Sequence, residues 1–421
     1  MGRIERDKGL FHPLEGVPRE KRLEDKWDKT AALVSMAAKK SNEFRARLAE
    51  NGIHPGDIKS AKDFQSVPVL RKKDIIRLQK ENGLQWMLTA PLGKIRRIYQ
   101  SPGPIFDPET DSRDGWGWAE AFFACGFRAD DLAQITFSYH LTPAGLMLEE
   151  PLRTLGCCCI PAGPGNTEKQ IELLTGLPVT GFVGMASYLK IIGKKARSMG
   201  LNPEKDFGLE VAFVAAERLT DSLRREVEDL FNIRVRQGYG TADVGCIAYE
   251  CPELGGMHIS SRCWVEICHP DTGRVLPDGE TGEVVVTAYN PDYPLIRLAT
   301  GDISVIDTGF CACGRTSRKL RGILGRVDDT AKVKGQFIYP SQAKAALNGF
   351  PQIRRWQIAI SNPGGRDILT LRIQTRSGID PTEVARAFQK AVKLKPEIVN
   401  FTEDCTLSED SPLLVDERQY D

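Results

Sequence analysis

The sequence predicts an α/β large N-terminal domain with a β-rich subdomain, followed by a small α+β C-terminal lid domain. Between about residues 130 and 300, short apolar runs alternate with helical stretches, a pattern typical of buried strands joined by helices. A Gly-rich β segment with turn signals follows at residues 271–287. After Gly325, strand, helix and strand patterns succeed one another over the last part of the chain. We place the boundary so that the domains are residues 1–327 and 328–421.

Composition narrows the class of protein. The 421 residues, 41% hydrophobic and 27% charged, are typical of a folded protein with room for two or three domains. The 57 basic and 56 acidic residues leave a net charge of +1, so no nucleic-acid partner is expected. Apolar runs are too short for a membrane span, and the charged N-terminus does not resemble a secretory signal. We therefore expect a cytoplasmic protein, whose eleven cysteines are reduced thiols or metal ligands.

The individual elements follow from their patterns in chain order. Residues 19–50 carry apolar side chains at helical spacing, which predicts one or two amphipathic helices that pack on the body or mediate a homodimer. The predicted buried strands are 133–137, 156–160, 181–184 and 211–214, and the helices among them are 168–174, 187–198 and 220–230. In the C-terminal part, the predicted elements are helices 341–347 and 381–394 and strands 356–360 and 368–373. Asp380 is the expected cap of the last helix.

Three segments carry residues suited to nucleotide chemistry. In residues 237–245, Tyr239 beside glycine lets an aromatic face meet a flat base, and a threonine followed by a carboxylate can bind phosphate oxygens and a divalent cation. Taken alone, this segment could equally be a turn at the end of a strand. In residues 294–302, Asp302 follows a glycine turn and could accept two ribose hydroxyls. Residues 325–335 start with Gly-Arg and continue with an acidic pair and a Lys/Val alternation.

The ordered series of these segments resembles the adenylate-forming superfamily of acyl-CoA synthetases, most closely a divergent member of its phenylacetate-CoA ligase branch. Supporting pieces of the resemblance are residues 160–171, 215–218 and 337–342. The resemblance implies an AMP-forming acid–CoA ligase with a small domain that swings between two half-reactions. An organic carboxylic acid, an aromatic acid among the candidates, attacks the α-phosphate of Mg-ATP to give an acyl-adenylate and pyrophosphate. The thiolate of coenzyme A then displaces AMP.

The resemblance also implies roles for residues around the nucleotide. The nucleotide-lining residues would be Ala215, Ala216, Glu217, Tyr239 and Gly240. Thr241 and Asp243 would be catalytic residues at the α-phosphate and Mg²⁺. Asp243 stands where the family usually has glutamate, which is one methylene longer.

Further roles fall in the later part of the chain. By the same resemblance, Asp302 would hold the ribose, and Arg326 would be a catalytic residue near the ribose or phosphate. Asp328 would be the hinge between the domains. Lys334 and Gly335 would approach the pantetheine arm of coenzyme A during thioester formation.

Two departures from the family pattern argue against rapid adenylation. The stretch that matches the phosphate loop, residues 101–108, contains prolines, Phe106 and Asp107 where small residues and a lysine are expected to cradle phosphate. The C-terminal lysine that contacts carboxylate and α-phosphate is missing, and Asp410 falls near its place. We expect slow or absent adenylation, whereas thioester formation can survive. A non-catalytic nucleotide- or acyl-CoA-binding member and an adenylyltransferase with another acceptor remain open alternatives.

A second constellation has the chemistry of a metal site. Cys251 and His258 supply one thiol and one imidazole, and Cys311 and Cys313 supply two thiols on a tight turn. Three cysteines and one histidine form an accepted tetrahedral set for structural Zn²⁺. Members of the resembling branch often show this pairing. The alternatives are reduced buried thiols, or a site that uses Cys246 or Cys263 as a substitute ligand.

Overall fold

The computed structural model describes residues 5–101, 104–110, 114–327, 331–333, 336–338, 340–363, 367–375, 378–402, 407–408 and 411–418. The chain divides into two compact units, Met1–Thr300 with Val305–Gly322 and Gly301–Ser304 with Ile323–Asp421. The first unit holds a large mixed sheet with helices, and the second holds a smaller sheet. The predicted fold class is therefore confirmed. The predicted domain boundary between residues 327 and 328 stays a prediction.

The helices and strands of the described residues are as follows. The α-helices are α1 (Arg19–Lys40), α2 (Asn42–Glu50), α3 (Ala61–Phe64), α4 (Lys72–Asn82), α5 (Ala119–Cys125), α6 (Ala144–Thr154), α7 (Thr167–Gly176), α8 (Ala186–Ser198), α9 (Pro203–Asp206), α10 (Asp221–Phe231), α11 (Pro340–Leu347) and α12 (Pro381–Val392). The strands of the first half are β1 (Leu70–Arg71), β2 (Ile95–Ser101), β3 (Ile105–Thr110), β4 (Leu132–Ile135), β5 (Cys158–Pro161), β6 (Gly181–Gly184), β7 (Val211–Val214), β8 (Arg234–Thr241), β9 (Gly245–Tyr249) and β10 (Met257–Ile259). The later strands are β11 (Cys263–Cys268), β12 (Thr281–Ala288), β13 (Leu298–Asp307), β14 (Lys319–Leu320), β15 (Gly325–Arg326), β16 (Ala331–Val333), β17 (Gln336–Ile338), β18 (Ile353–Ser361), β19 (Ile368–Thr375), β20 (Ile398–Thr402) and β21 (Leu414–Asp416).

The centre of the first unit is a parallel run of strands in the order β5, β4, β6, β7, β8. Alternate residues of β7 face opposite sides of this sheet, as the pleat requires. Val211 and Phe213 belong to a core cluster with α5 and α6, whereas Ala212 and Val214 belong to a second cluster with α7, α8 and α10. The sheet is thus covered by helices on both faces, which explains why its strands read as continuous apolar runs.

The predicted strands at 181–184 and 211–214 coincide with β6 and β7. The expectation of a buried strand at 156–160 is wrong in one respect, because β5 lies at the edge of the parallel run. Within it Cys158 is exposed and Cys159 is half-buried, while Cys157 precedes the strand and is buried. An edge strand has a neighbouring strand on one side only, so the other side of the strand is left open. The apolar run at 156–160 does not by itself show whether its strand lies at the edge or in the middle of the sheet.

The predicted helices at residues 19–50 are α1 and α2. Ser41 ends α1 and caps α2, accepting a hydrogen bond from the amide of Phe44 at 3.2 Å. Their apolar face, which includes Leu33, Val34 and Phe44, packs within the chain against Phe64 and the buried side chain of Ile296. The packing role is therefore the observed one, and homodimerisation stays a prediction.

Beyond β8, the sheet continues with antiparallel strands. β8 pairs with β9, β9 with β10, and β10 with β14. The tight connection from Thr241 to Gly245 joins β8 to β9, and Gly245 takes a φ of +79° there, a conformation that favours glycine. Separately, β2 and β3 form a hairpin. These two features position the residues discussed below.

The second unit contains a four-stranded sheet in the order β20, β19, β18, β21. Its core includes Ile358, Leu371 and Phe388, the last from α12. Asp380 caps α12 as predicted, accepting a hydrogen bond from the amide of Thr382 at 2.8 Å. Over the described residues of the whole chain, none of the helices combines the length and apolar character required to cross a bilayer.

Candidate functional site

In the Tyr239 segment, residues 237–241 belong to strand β8, and the tight turn comes directly after Thr241. The Tyr239 ring is buried, and its hydroxyl donates a hydrogen bond to Thr300 Oγ1 at 3.1 Å. A Cβ at Gly238 or Gly240 would come within 2.6 Å of the Trp118 ring, and at Gly240 it would also overlap the carbonyl oxygen of Gly245. Glycine is required at both positions because of this close approach, which holds the end of β8 against the core.

The predicted adenine loop follows β7. Ala216 has a φ of +69°, a left-handed conformation that costs a non-glycine residue free energy and is found preferentially at functional sites. Glu217 accepts hydrogen bonds from the amide and the hydroxyl of Ser187, each at 2.7 Å. Ser187 lies in the first turn of α8, where a carboxylate satisfies free amides and interacts favourably with the helix dipole. The Glu217 side chain therefore supports the loop, and Ala215 packs at the edge of the core beside it.

Thr241 and Asp243 lie at and just beyond the end of β8. No hydrogen-bond partner of the buried Thr241 Oγ1 is found among the described residues. Asp243 is 6% exposed, and its Oδ2 lies 2.9 Å from Nζ of Lys72, the first residue of α4. This ion pair joins the strand end to the start of a helix 171 residues earlier in the sequence.

Asp107, in the stretch that matches the phosphate loop, is fully buried in β3. Burial, first, and then the negative charge of Asp243 raise the pKa of Asp107 to about 7, and Ser101 and Lys72 oppose the rise. No described residue meets hydrogen-bond geometry at either carboxylate oxygen of Asp107, although the Ser101 hydroxyl is near enough to lower the pKa of that carboxyl. The hydroxyl of Ser101 donates instead to the carbonyl oxygen of Ile105 at 3.4 Å.

Gln79 of α4 holds the strand that carries Asp107. Its Nε2 donates to the carbonyl oxygen of Phe106 at 2.9 Å, and its Oε1 accepts from the amide of Phe106 at 2.8 Å. Because successive strand residues face opposite sides, fixing Phe106 outward turns Asp107 inward. Gln79 also donates to the hydroxyl of the buried Tyr293 at 3.1 Å, and the charges of Asp107 and Asp243 add to burial in raising the pKa of that tyrosine. Pro102 and Gly103, within the same loop, lie outside the described residues.

Asp302 and Arg326 lie in the second unit and form a pair. They face each other across the antiparallel pairing of β13 and β15, and Arg326 Nη1 donates to Asp302 Oδ1 at 2.8 Å. The resemblance places Asp302 at the ribose and Arg326 near the ribose or the phosphate, and in the structure the two side chains form an ion pair. Asp328, Lys334, Gly335 and Asp410 lie outside the described residues.

The four metal-ligand candidates converge in the first unit. The Sγ atoms of Cys251, Cys311 and Cys313 and a ring nitrogen of His258 all lie within 4.8 Å of one another. Cys251 Sγ and Cys311 Sγ are 3.6 Å apart, and Cys313 Sγ is 3.4 Å from His258 Nε2. The other ring nitrogen of His258, Nδ1, is 3.1 Å from Ser317 Oγ. Cys246 and Cys263 are both buried and are not part of this group.

The electrostatics of this group are those of thiols that share protons. Hydrogen bonding, first with Cys251 and then with His258, lowers the pKa of Cys313, although burial opposes the change. The pKa of Cys251 is raised, first by its hydrogen bond to Cys313 and then by burial. Burial raises the pKa of Cys311. Thiol and imidazole ligands must lose their protons before a metal ion binds, so metal binding to this group would depend on pH.

Sequence reasoning missed Lys72 and Gln79. Both lie on α4, whose pattern is that of an ordinary surface helix, and no local signal connects them with residues 101–108 or 241–243. Their roles depend on where α4 packs. By contrast, the pairing of Cys251 and His258 with Cys311 and Cys313 was visible in the sequence.

Comparison with known proteins places this geometry in context. Residues 126–290 match the family model described as AMP-binding enzyme. The phenylacetate-coenzyme A ligase of Thermus thermophilus is 28% identical over 379 residues, covering 87% of this chain and 84% of that protein. The phenylacetate-coenzyme A ligase of Escherichia coli is 27% identical over 347 residues, covering 79% of this chain and 78% of that protein.

The resemblance to the adenylate-forming superfamily is confirmed. Among solved structures, an open conformation of 2-hydroxyisobutyryl-CoA ligase in complex with 2-HIB-AMP and CoA matches with a TM-score of 0.85 at 22% identity, covering 96% of this chain and 93% of that one. Apo MatB from Rhodopseudomonas palustris matches with a TM-score of 0.54 at 17% identity, covering 77% of this chain and 68% of that one. At these identities the two structures bear on the fold alone.

Proposed function

We propose that this chain is an AMP-forming acid–CoA ligase. A carboxylate oxygen of an organic acid attacks the α-phosphorus of ATP and forms the acyl-adenylate. The bond between the α-phosphorus and the oxygen that bridges the α- and β-phosphates breaks, and pyrophosphate leaves. The thiolate of coenzyme A then attacks the acyl carbon, and AMP leaves as the thioester forms. The observation that supports this most directly is the end of β8, where Thr241 and Asp243 lie next to the buried Tyr239 in a chain with ligase relatives along most of its length.

The residues of the first unit divide the work of binding and orientation. The Tyr239 ring and the Ala215–Ala216 backbone line the adenine, and Glu217 holds that backbone through Ser187. Thr241 Oγ1 and the Asp243 carboxylate are oxygen donors, the type that Mg²⁺ prefers, and the buried hydroxyl has no other partner among the described residues. When bound, Mg²⁺ supplies positive charge that stabilises the negative charge developing on the phosphate oxygens.

The proposed roles of the later residues follow the resemblance. Asp302 accepts the ribose hydroxyls, and Arg326, already paired with Asp302, binds the ribose or phosphate beside it. Asp328 as the hinge and Lys334 and Gly335 at the pantetheine arm also belong to the proposal. The acid substrate is an organic carboxylate, and an aromatic acid is the first to test because the matched relatives are named for phenylacetate.

Pyrophosphate release tests the proposal. The full chain is incubated with Mg-ATP and a panel of aryl and aliphatic acids, with and without coenzyme A. We expect at least one acid to give ATP-dependent pyrophosphate, AMP and, with coenzyme A, the thioester. ATP that is never consumed, with AMP or acyl-CoA still bound in calorimetry, would support a nucleotide- or acyl-CoA-binding protein instead. Pyrophosphate release without thioester would favour an adenylyltransferase that uses another acceptor.

The phosphate-loop stretch favours an impaired first half-reaction. Asp107 places a carboxylate where the family has a cation, and Phe106 occupies a position where a glycine is expected. Given premade phenylacetyl-AMP and coenzyme A, we expect thioester formation to be faster than the full reaction from ATP. Equal rates would contradict our interpretation of these substitutions.

We also propose that Cys251, His258, Cys311 and Cys313 hold a structural Zn²⁺. Ligands at about 2.3 Å for sulfur and about 2.0 Å for nitrogen on a tetrahedron lie roughly 3.5–3.8 Å apart, close to the 3.6 Å and 3.4 Å found here. Ser317 would orient the imidazole through Nδ1. Metal analysis of protein purified without chelator is the test, and less than about 0.2 zinc per chain would contradict a structural site.

A further inference from the structure

The carboxylate cluster, as we call it, consists of Asp107 and Asp243, whose charges act on each other, and of Thr241, two residues before Asp243. It carries more negative charge than the described cations near it neutralise. Its two carboxylates have one close cation among the described residues, Lys72, and Lys72 is paired with Asp243. When both carboxylates are ionised, Asp107, Asp243 and Lys72 together carry a net charge of −1. Asp107 is fully buried, and Asp243 is 6% exposed, so water screens neither group well.

Several oxygen atoms of this cluster have no hydrogen-bond partner among the described residues. Both oxygens of Asp107 and the hydroxyl oxygen of Thr241 are buried and accept no hydrogen bond from the described residues. Buried polar atoms are nearly always paired in folded proteins, so an unpaired set requires an explanation. Functional sites that await a ligand are one place where such sets occur, and the ammonium group at Asp243 shows that a cation is accommodated there.

The chemistry of the donors selects the ligand. The set contains oxygen alone, without sulfur or nitrogen, and combines two carboxylates with one hydroxyl. Hard divalent cations, Mg²⁺ and Mn²⁺, are bound in this way by one or two carboxylates, with water and substrate phosphates as the remaining ligands. Asp243 is one methylene shorter than the glutamate that the family usually has at this position. A second carboxylate, Asp107 on the β2–β3 hairpin, would provide a further ligand, so that the metal ion does not depend on Asp243 alone.

We propose that Asp107 is a ligand of a divalent cation together with Asp243 and Thr241, and that Lys72 is the counter-ion that neutralises Asp243 until the metal ion binds. The proposal rests on the proposed function for the role of the metal, and it adds a ligand from the phosphate-loop stretch. The substitution at residue 107 is then a change in how this chain neutralises phosphate, by a bound cation in place of a lysine side chain.

The position of Lys72 suits a displaceable counter-ion. Its side chain is 37% exposed, and it is the first residue of α4, so the ammonium group can move into water without disturbing the core. Gln79, on the same helix, fixes the hairpin and is not part of the charge balance. The Asp107 side of the cluster thus stays in place when Lys72 leaves.

Binding of Mn²⁺ to the full chain, in buffer supplied with Zn²⁺ and without nucleotide or acid, tests the proposal. Free Mn²⁺ is followed by electron paramagnetic resonance for wild type, Asp107→Asn, Lys72→Met and the control Glu109→Gln. Glu109 lies on the same strand, is buried and pairs with Arg97 at 2.8 Å. We expect one site in wild type, affinity lowered at least about tenfold by Asp107→Asn, and affinity raised about threefold or more by Lys72→Met. Glu109→Gln should stay within about twofold of wild type.

Each outcome bears on the proposal separately. Wild-type affinity in Asp107→Asn, or no Mn²⁺ bound by wild type at millimolar concentration, would overturn it. If Asp107→Asn does not fold, the Lys72→Met result decides, because unchanged or weaker binding there would overturn the competition between lysine and metal. Since no ATP is present, intact Mn²⁺ binding in a chain that never consumes ATP would refute the proposed function and leave this proposal standing.

Discussion

The Cys–His group, which consists of Cys251, His258, Cys311 and Cys313, and the carboxylate cluster both contain potential ligands from distant parts of the sequence. They differ in how those ligands are held. In the first, the four ligand atoms lie within 4.8 Å of one another, and the imidazole has a partner in Ser317. In the second, buried oxygens are left without hydrogen bonds and one lysine faces two carboxylates. A complete and closed ligand set is typical of a structural metal site, and an open set is typical of one that a substrate completes.

This difference predicts that the Cys–His group contributes mainly to the stability of the fold and the carboxylate cluster mainly to activity. A closed site contributes folding free energy because the metal binds the folded chain and not the unfolded one. In an open site, buried charges that lack partners raise the free energy of the folded chain, and ligand binding lowers it again. Perturbing the two regions should therefore have different consequences.

The largest expected effect is on the Cys–His group. Cys311→Ser should abolish zinc binding and lower the free energy of unfolding by about 3–5 kcal/mol, since the metal's contribution to folding is lost. Zinc content and thermal unfolding measure this. Cys158→Ser, at an exposed cysteine outside the group, is the control and should change stability by less than about 0.5 kcal/mol. Wild-type zinc content and melting temperature in Cys311→Ser would remove the structural half of the comparison.

The second prediction concerns chemistry at the open cluster. Asp243→Asn should slow ATP-dependent pyrophosphate release by about 10²–10³, because a preorganised charge at the phosphate is lost. Thioester formation from premade acyl-adenylate should change much less, since pyrophosphate has already left. The exposed Glu253→Gln is the matched control for loss of a carboxylate. An equal loss in both half-reactions would show that Asp243 supports the fold and not the first step.

A third prediction tests whether packing holds the open cluster in place. Gly240→Ala would put a methyl group 2.6 Å from the Trp118 ring and against the Gly245 carbonyl, so stability should fall by about 1–3 kcal/mol. Chemical denaturation measures this. Gly93→Ala is the control, because a Cβ there meets no atom within 4 Å. If both variants unfold alike, the end of β8 is not held by close approach.

The smallest expected effect tests the cost of buried charge, on which the comparison depends. Lys26 is buried, its ammonium donates to the carbonyl oxygens of Ser260 and Cys263 at 2.6 Å and 2.9 Å, and burial lowers its pKa to about 8. The unfolded chain then binds more protons than the folded chain between pH 8 and the ordinary lysine pKa, so this residue favours folding increasingly as pH rises.

Between pH 7 and pH 9, wild type should gain about 1 kcal/mol relative to Lys26→Met in denaturant titrations. Lys29→Met, at an exposed lysine paired with Asp25, should show no such trend. A difference between wild type and Lys26→Met that is independent of pH would mean that the ammonium is as well solvated in the fold as in water.

The sequence by itself determined the α/β class, the buried strands at 181–184 and 211–214 and the two halves of the Cys–His group. These depend on local periodicity and on side-chain chemistry, both of which are written in the order of residues. The segment at residues 237–245 was recognisable for the same reason, although the extension of strand β8 through Tyr239 to Thr241 was not.

Only the tertiary structure decided what surrounds those residues. That β5 lies at an edge, that Lys72 reaches Asp243 and that Asp107 turns inward all depend on which elements pack together. Burial and charge pairing depend on neighbours from distant parts of the chain, and a local pattern contains no information about a neighbour 171 residues away.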